Sequence, residues 1–354
     1  MDEGELGNVA GSRNKLIAGI IVAVIVIAGL GVAFVFINDN NGVTSLAPHM
    51  SQIVVDMNNN IHVLWSNWAS DIYYSKLNTT GNILIASKII IQGGGELLFS
   101  PFIDNETSTI HVISECGLTT LDLNGNVLSE NSNVTMPIPG QPIISDSSGQ
   151  LHYLWQNGTV DSNNTIHTIW FERYSQDSEE IHKTYYKKMD YKGTILVDNQ
   201  IANISINGKI LVDNENNIHI LYLGGNSIYY AKLNNQGEFL IDFSKIETTI
   251  ETTFRVEYFD VSASTNSIGI TCTGYSDDGW GCRTYYLALD FDGNVIVVER
   301  AVSELSSCWP SISMDSQSNA HIVFETYYTK DCPIYYLKLD QEGNSLVEEV
   351  KIFG

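Results

Sequence analysis

The chain has 354 residues, a formal net charge of −23 at pH 7 and 44% hydrophobic residues. Such an acidic chain repels phosphate backbones, which argues against a nucleic-acid partner. It contains no nucleotide-binding glycine loop, nucleophile elbow or Cys-x-x-Cys pair, so the motifs of three large enzyme and metal-binding classes are missing.

The N-terminal segment differs from the rest of the chain. Residues 1–15 form a short polar tail, and residues 16–37 are a run of 22 residues without a charge. At about 1.5 Å per residue the run spans roughly 33 Å as a helix, enough to cross a bilayer core. Arg13 and Lys15 precede it, so the positive-inside rule places the N-terminus in the cytoplasm. A cleaved signal peptide is the alternative, but its apolar region usually has only about 7–15 residues. We therefore predict an uncleaved signal anchor.

Residues 38–48 form a linker, and residues 49–354 form one extracellular repeat domain in this interpretation. Six Asn-x-Ser/Thr sequons all follow the apolar run, which agrees with an exported glycoprotein. They begin at Asn78, Asn105, Asn133, Asn157, Asn163 and Asn203. The predicted location is the cell membrane, with a single pass through the bilayer and the repeat domain outside the cell.

A repeated phrase runs through residues 49–354. Its first copy reads IVVD at 53–56, IHVLW at 61–65, IYYSKL at 72–77 and a Gly-Asn turn at 81–82. Each copy has four short strands, here called A to D, separated by Asn-, Asp- and Gly-rich turns. A period of roughly 50 residues with four strands per copy predicts an all-β fold, a β-propeller of four-stranded blades.

The number of blades is open on the sequence alone. Six glycine turns precede a strand D, which favours six blades. These glycines are Gly81, Gly125, Gly193, Gly237, Gly293 and Gly343. An extra hairpin over residues 146–155 is either an insertion or a degenerate seventh blade.

Histidines occupy the same slot in most copies, with an Asp six residues earlier. The clearest pairs are Asp56–His62, Asp213–His219 and Asp315–His321. A catalytic histidine would be singular, so we predict structural groups in which the carboxylate accepts a hydrogen bond from the imidazole. The alternative is a Ca²⁺ site in the same Asx-rich turns, but the glycine and closing glutamate of a calcium loop are missing. No other metal or cofactor is expected.

The phrase resembles the exported repeat propellers of archaea and bacteria that are grouped with sialidase-like (BNR-type) repeats, over nearly all of residues 49–354. The resemblance implies a propeller and says little about activity. A sialidase repeat carries the motif Ser-x-Asp-x-Gly-x-x-Trp, whereas the similar segment Ser313–Gln317 lacks the glycine. A sialidase site also needs three arginines, for which Arg173, Arg255, Arg283 and Arg300 are available.

Residues outside the repeat are the better candidates for function. Strand direction alternates, so the B–C and D–A connections open on one face, here called the B–C face. The ligand-binding candidates on it are Trp68, Glu115, Glu172, Arg173, Trp280, Arg283, Trp309 and Glu325. The alternative is that these loops are long and need disulfide bonds to hold them in place.

The cysteines also fall on the B–C face. Cys272 and Cys282 are placed at the facing ends of two antiparallel strands, and Cys308 and Cys332 at one end of the last blade. We therefore predict the disulfides Cys272–Cys282 and Cys308–Cys332, with Cys116 unpaired.

Three functions fit these features. The leading one is a membrane-anchored binding or adhesion module for glycans or surface proteins, because exposed aromatics and a few carboxylates suit sugar rings. The second is a glycoside hydrolase that uses paired carboxylates among Glu115, Glu172 and Glu325. The third is a passive structural protein of the cell envelope. On balance the sequence favours a protein that is not an enzyme.

Overall fold

The structure is a computed structural model, and the apolar run at 16–37 lies outside the residues it describes. It describes residues 48–67, 71–93, 99–104, 107–114, 117–131, 143–145, 151–153, 158–161, 163, 165–176, 179–190, 194–204, 206, 208–225, 227–248, 254–276, 282–304, 306–326 and 332–354. Within these ranges the regular structure is entirely β-strand. None of the described segments is a helix of the length and hydrophobicity needed to cross a membrane.

The first half of the domain contains two four-stranded sheets and one short hairpin. The first sheet comprises β1 (Pro48–Val55), β2 (Ile61–Asn67), β3 (Ile72–Leu77) and β4 (Ile83–Ile91). The second sheet comprises β5 (Phe99–Asp104), β6 (Thr109–Ser114), β7 (Gly117–Asp122) and β8 (Val127–Asn131). The hairpin comprises β9 (Ile143–Ser145) and β10 (Leu151–Tyr153).

Four more four-stranded sheets follow. The third comprises β11 (Gly158–Val160), β12 (Ile166–Gln176), β13 (Glu179–Met189) and β14 (Ile195–Ala202). The fourth comprises β15 (Gly208–Val212), β16 (Ile218–Gly224), β17 (Ser227–Leu233) and β18 (Phe239–Lys245). The fifth comprises β19 (Phe254–Ala263), β20 (Ser267–Ser276), β21 (Cys282–Asp290) and β22 (Val295–Ala301). The sixth comprises β23 (Ser307–Met314), β24 (Ala320–Thr326), β25 (Ile334–Leu339) and β26 (Ser345–Phe353).

Each four-stranded sheet is an antiparallel meander in chain order, as the repeated phrase predicts for a blade. The prediction of an all-β, blade-like repeat is therefore confirmed. The extra hairpin forms a separate two-stranded sheet in which β9 contacts β5 of the second sheet and β11 of the third. It therefore lies between two blades and is not inserted within one.

Asx turns fix the strand ends. At the A–B turn of the first sheet, Asp56 Oδ1 accepts the backbone amides of Asn58 and Asn60 at 2.9 and 2.8 Å. At the C–D turn of the second sheet, Asp122 Oδ1 accepts the amides of Asn124 and Asn126, both at 2.8 Å. In both turns a side chain takes the place of a ladder partner, which fixes the point where the chain reverses.

The hydrophobic core lies between the sheets. Leu64 and Tyr74 of the first sheet pack against Val112 and Leu121 of the second. Trp65 and Tyr73 on the opposite face belong to a cluster that includes Val323 and Tyr336 of the sixth sheet. The sheets are therefore buried on both faces, and the first sheet packs against the last.

Turn glycines let each sheet approach the one before it. Gly125 in the second sheet has φ +70°, and a Cβ added there would lie 2.3 Å from the ring of Tyr74 in the first sheet. Gly81 in the first sheet has the same relation to the sixth, where an added Cβ would lie 3.1 Å from the Tyr336 ring. The contact between consecutive sheets is thus repeated between the first and the last.

Candidate functional site

The repeated histidines take part in buried hydrogen-bond relays. In the fourth sheet, His219 Nε2 lies 3.2 Å from Asp213 Oδ2, and His219 Nδ1 lies 2.8 Å from the hydroxyl of Tyr230. That hydroxyl donates to the carbonyl of Phe291 in the fifth sheet at 2.8 Å. The predicted Asp–His contact is present, and it continues through a tyrosine into the next sheet.

The same Asp–His–Tyr arrangement occurs in four sheets. Its other copies are Asp56–His62–Tyr74, Asp161–His167–Tyr186 and Asp315–His321–Tyr336. Burial lowers the pKa of each of these four histidines, and the hydrogen bond to the neighbouring carboxylate only partly opposes this shift. The imidazoles are therefore neutral at pH 7.

Two sheets replace the relay. In the second sheet, His111 contacts the hydroxyls of Thr109 and Thr120 at 3.0 and 3.2 Å. In the fifth sheet, Gly269 stands in the histidine position, and Met314 of the sixth sheet lies beside its Cα. Packing therefore takes the place of the relay in these two sheets. The relay joins neighbouring sheets and does not mark a binding site.

A distorted region lies where the fifth and sixth sheets meet on the B–C face, and we call it the bulge site. It comprises Cys282, Cys308, Trp309, Glu325 and Tyr258. The pairing of β23 with β24 is irregular between Cys308 and Ser311, and Trp309 has a φ of 49°. A β-bulge with a bulky residue at positive φ stores backbone strain, which proteins concentrate at functional sites.

Trp309 is the aromatic residue that the bulge presents. Its side chain is partly exposed, and its ring meets the ring of Tyr258 edge-on, with centroids 6.1 Å apart. Tyr258 lies on β19, the first strand of the fifth sheet, and is also partly exposed. Arg283, at the start of β21, is exposed. Two aromatic rings therefore meet at this junction, and an exposed cation lies at the same end of the fifth sheet.

Glu325 lies behind the bulge and is 1% exposed. It is opposite Cys308 in the strand register, and its Oε1 accepts the backbone amide of Ser51 in the first sheet at 2.8 Å. Burial raises the pKa of Glu325 to about 8, and the hydrogen bonding of Ser51 only partly offsets this. The carboxyl group is therefore protonated over most of the neutral range.

Unpaired polar atoms gather where the sixth sheet meets the first, on the side of β24 that carries Glu325. Four buried side-chain atoms of the described residues make no hydrogen bond, and three of them are Ser51 Oγ, Trp65 Nε1 and Glu325 Oε2. Ser51 and Trp65 are opposite each other in the first sheet. The Ser51 hydroxyl lies near enough to affect the Glu325 carboxyl, but outside hydrogen-bond geometry. Such groups are few in native proteins, so their clustering marks this junction as unusual.

The cysteine positions correct the predicted pairing. Strand β20 continues to Ser276, so Cys272 is opposite Tyr285, and Cys282 is opposite Tyr275. The predicted Cys272–Cys282 disulfide does not fit this register because the hairpin is longer than its sequence suggests. None of the four cysteines in the described residues forms a disulfide, which includes Cys308 and Cys332.

The other candidates are distributed as follows. Trp68, Glu115, Trp280 and Cys116 lie outside the described residues. Glu172 and Arg173 lie within β12, not in a loop, with their backbones opposite Lys183 and His182. Arg283, Trp309 and Glu325 also lie within strands, close to the ends that open on the B–C face. Trp309 meets Tyr258 of the fifth sheet, and Glu325 accepts a hydrogen bond from Ser51 of the first sheet. Sequence reasoning missed both of these partners.

Comparison with known proteins supports the fold. No family model and no curated protein matches the chain. Among solved structures, it is similar to AofleA from Arthrobotrys oligospora, with 8% identity, a TM-score of 0.50 and 88% of each chain covered. It is also similar to Aleuria aurantia lectin bound to Fucα1-6GlcNAc, with 10% identity, a TM-score of 0.48, and 88% of this chain and 98% of that chain covered. NanB sialidase from Streptococcus pneumoniae has 7% identity and a TM-score of 0.37, with 89% of this chain and 63% of that chain covered. At 8% identity the likeness to AofleA concerns the fold alone.

Proposed function

We propose that this protein is an extracellular binding module that recognises glycans through the bulge site on the B–C face. The observation that carries the proposal is the partly exposed Trp309, held at positive φ on a β-bulge and braced by Tyr258. Sugar rings stack their C–H faces on aromatic side chains, and their hydroxyls need a few fixed polar groups. Arg283 is an exposed donor at the same end of the fifth sheet.

The scaffold in this proposal is a closed propeller. β1 contacts β23 and β24, so the first and last sheets meet. Their junction repeats the glycine-on-tyrosine contact of consecutive sheets and adds the Ser51–Glu325 hydrogen bond. The β9–β10 hairpin lies between the second and third sheets and counts as a seventh blade. In the described residues this blade has two strands, whereas the other six have four. The ring holds its junctions rigid, which suits a preformed binding face.

Anchoring to the membrane is a further part of the proposal. It rests on the apolar run at 16–37 and on the basic residues that precede it. The sequons after the run fit export, and the linker at 38–48 would keep the domain close to the bilayer. A glycan-binding domain tethered in this way would serve adhesion at the cell surface.

Glycoside hydrolysis is the second candidate, and Glu325 favours it. A carboxyl group with a pKa near 8 is protonated at neutral pH, which a general acid requires. However, a general acid must reach its substrate, and the Glu325 side chain is buried beneath the bulge. Binding therefore remains the better-supported function.

A glycan array with the purified full-length protein tests the proposal. We expect binding to a restricted set of glycans that is lost in Trp309→Ala. The matched control is Phe239→Ala, which removes another exposed aromatic ring, on the outer strand β18. No bound glycan, or equal loss in both variants, would contradict the proposal and favour a structural protein. Turnover of chromogenic glycosides that Glu325→Gln abolishes would instead support the hydrolase.

A further inference from the structure

Three cysteines approach one another where the fifth sheet meets the sixth. Cys282 begins β21, Cys308 is the second residue of β23, and Cys332 lies just before β25. The backbone amide and Sγ of Cys282 lie 3.4 and 3.6 Å from the hydroxyl of Ser306, two residues before Cys308. The starts of β21 and β23 are therefore side by side, although they belong to different sheets.

Neighbouring contacts confirm this alignment. The amide and the hydroxyl of Thr284 each lie 2.9 Å from the hydroxyl of Ser307. Hydrogen bonding by the Cys282 side chain and burial raise the pKa of the Cys308 thiol above its usual value, and the nearby Cys332 contributes in the same direction. Cys272, by contrast, lies within β20 and packs with Val256 and Tyr285.

We propose that Cys282 and Cys308 form a disulfide that joins the fifth and sixth sheets when the protein matures outside the cell. Cysteines at strand starts that lie side by side can reach the Cα separation of about 4.4–6.8 Å that a disulfide requires. The oxidant is a low-molecular-weight disulfide such as oxidised glutathione. Two S–H bonds and the S–S bond of the oxidant break, one protein S–S bond forms, and the oxidant leaves as two thiols that carry the two protons and two electrons.

Cys332 gives the oxidant a way into the folded protein. It is partly exposed, whereas Cys282 and Cys308 are 3% and 1% exposed. Its thiolate attacks the small disulfide, forms a mixed disulfide and releases one small thiol. Cys308 then loses its proton and displaces the second small thiol, and its raised pKa makes this step the slow one. Cys282 then attacks the Cys308 sulfur and releases Cys332 as a thiol. The product ties Cys308, the residue before Trp309, to the start of β21.

Peptide mapping of the alkylated, non-reduced full-length protein tests the proposal. Digestion with trypsin and Asp-N separates all the cysteines concerned, because cleavage at Asp277 divides Cys272 from Cys282 and cleavage after Lys330 divides Cys308 from Cys332. We expect one crosslinked pair, Cys282 with Cys308, and alkylated Cys272. Alkylation of both Cys282 and Cys308, or a bridge from either to another cysteine, would overturn the proposal.

Thermal unfolding with and without reductant provides a second measurement. Loss of the crosslink should lower the melting temperature of the wild-type protein by several degrees, and Cys272→Ser should show the same sensitivity. Cys308→Ser should melt at one temperature in both conditions. If Cys308→Ser does not fold, the wild-type comparison still decides, because a reductant-insensitive wild type would contradict the crosslink. This inference does not depend on glycan binding, so either can fail alone.

Discussion

Glu325 makes the stability of the protein depend on pH in an unusual direction. Its folded-state pKa of about 8 lies above the ordinary value of 4.5, so between these values the folded state binds more protons than the unfolded state. The free energy of unfolding therefore falls by about 1.4 kcal/mol per pH unit across this window. Above pH 8 the total loss in the free energy of unfolding is about 5 kcal/mol.

Replacing Glu325 by Gln should remove this dependence. Gln keeps an oxygen that can accept the Ser51 amide, but its NH₂ group adds a buried donor that costs roughly 1–3 kcal/mol. We therefore expect the variant to be less stable than wild type at pH 5 and more stable at pH 9, so that the two stability curves cross.

Urea unfolding between pH 5 and 9, with reductant present to keep the thiols constant, measures both curves. Glu348→Gln, at an exposed position on β26, controls for the change in net charge. The difference in the free energy of unfolding between wild type and Glu325→Gln isolates the contribution of Glu325 from that of every other titrating group. A difference that stays constant from pH 5 to 9 would refute the reasoning, because it would mean that Glu325 titrates alike in both states.

The relays and turns yield three further predictions. His219→Ala should lower the free energy of unfolding by roughly 1–3 kcal/mol in urea titrations, because it unpairs a buried relay, and glycan binding per folded molecule should be unchanged. The four relay histidines have lowered pKa values, so the stability of the folded state should decline as the pH falls below 6.5. Thermal melts should show a smaller decline for His219→Ala than for the wild type. Gly125→Ala should cost about 1–3 kcal/mol more than Gly93→Ala, because both have positive φ but only Gly125 faces a ring, that of Tyr74; equal costs would contradict the packing argument.

The blade structure could be predicted because its signals are local. In the first sheet, Asp56 accepts amides two and four residues later, and His62 meets this Asp six residues before it. The Asp–His contact recurs at the same spacing in three other sheets, so the sequence shows it as a repeat. The tyrosine that completes each relay is also part of the repeated phrase, although its hydroxyl partner in the next sheet is not visible without the fold.

The candidate site was less predictable because its contacts are not local. The Ser51–Glu325 hydrogen bond joins residues 274 positions apart, and no spacing in the sequence signals it. Strand lengths caused a second error. The loop around residue 279 is shorter than the turn residues suggest, since β20 extends to Ser276 and β21 starts at Cys282. That extension moved Cys272 out of register with Cys282.

The central claim is that Trp309 and its surroundings bind a glycan, and calorimetric titration of the full-length protein tests it most directly. With a glycan selected on the array, the wild type and Phe239→Ala should bind with the same affinity. Trp309→Ala should bind at least about tenfold more weakly, the equivalent of about 1.4 kcal/mol of lost stacking. An unchanged affinity in a folded Trp309→Ala variant would contradict the account and place the binding face elsewhere.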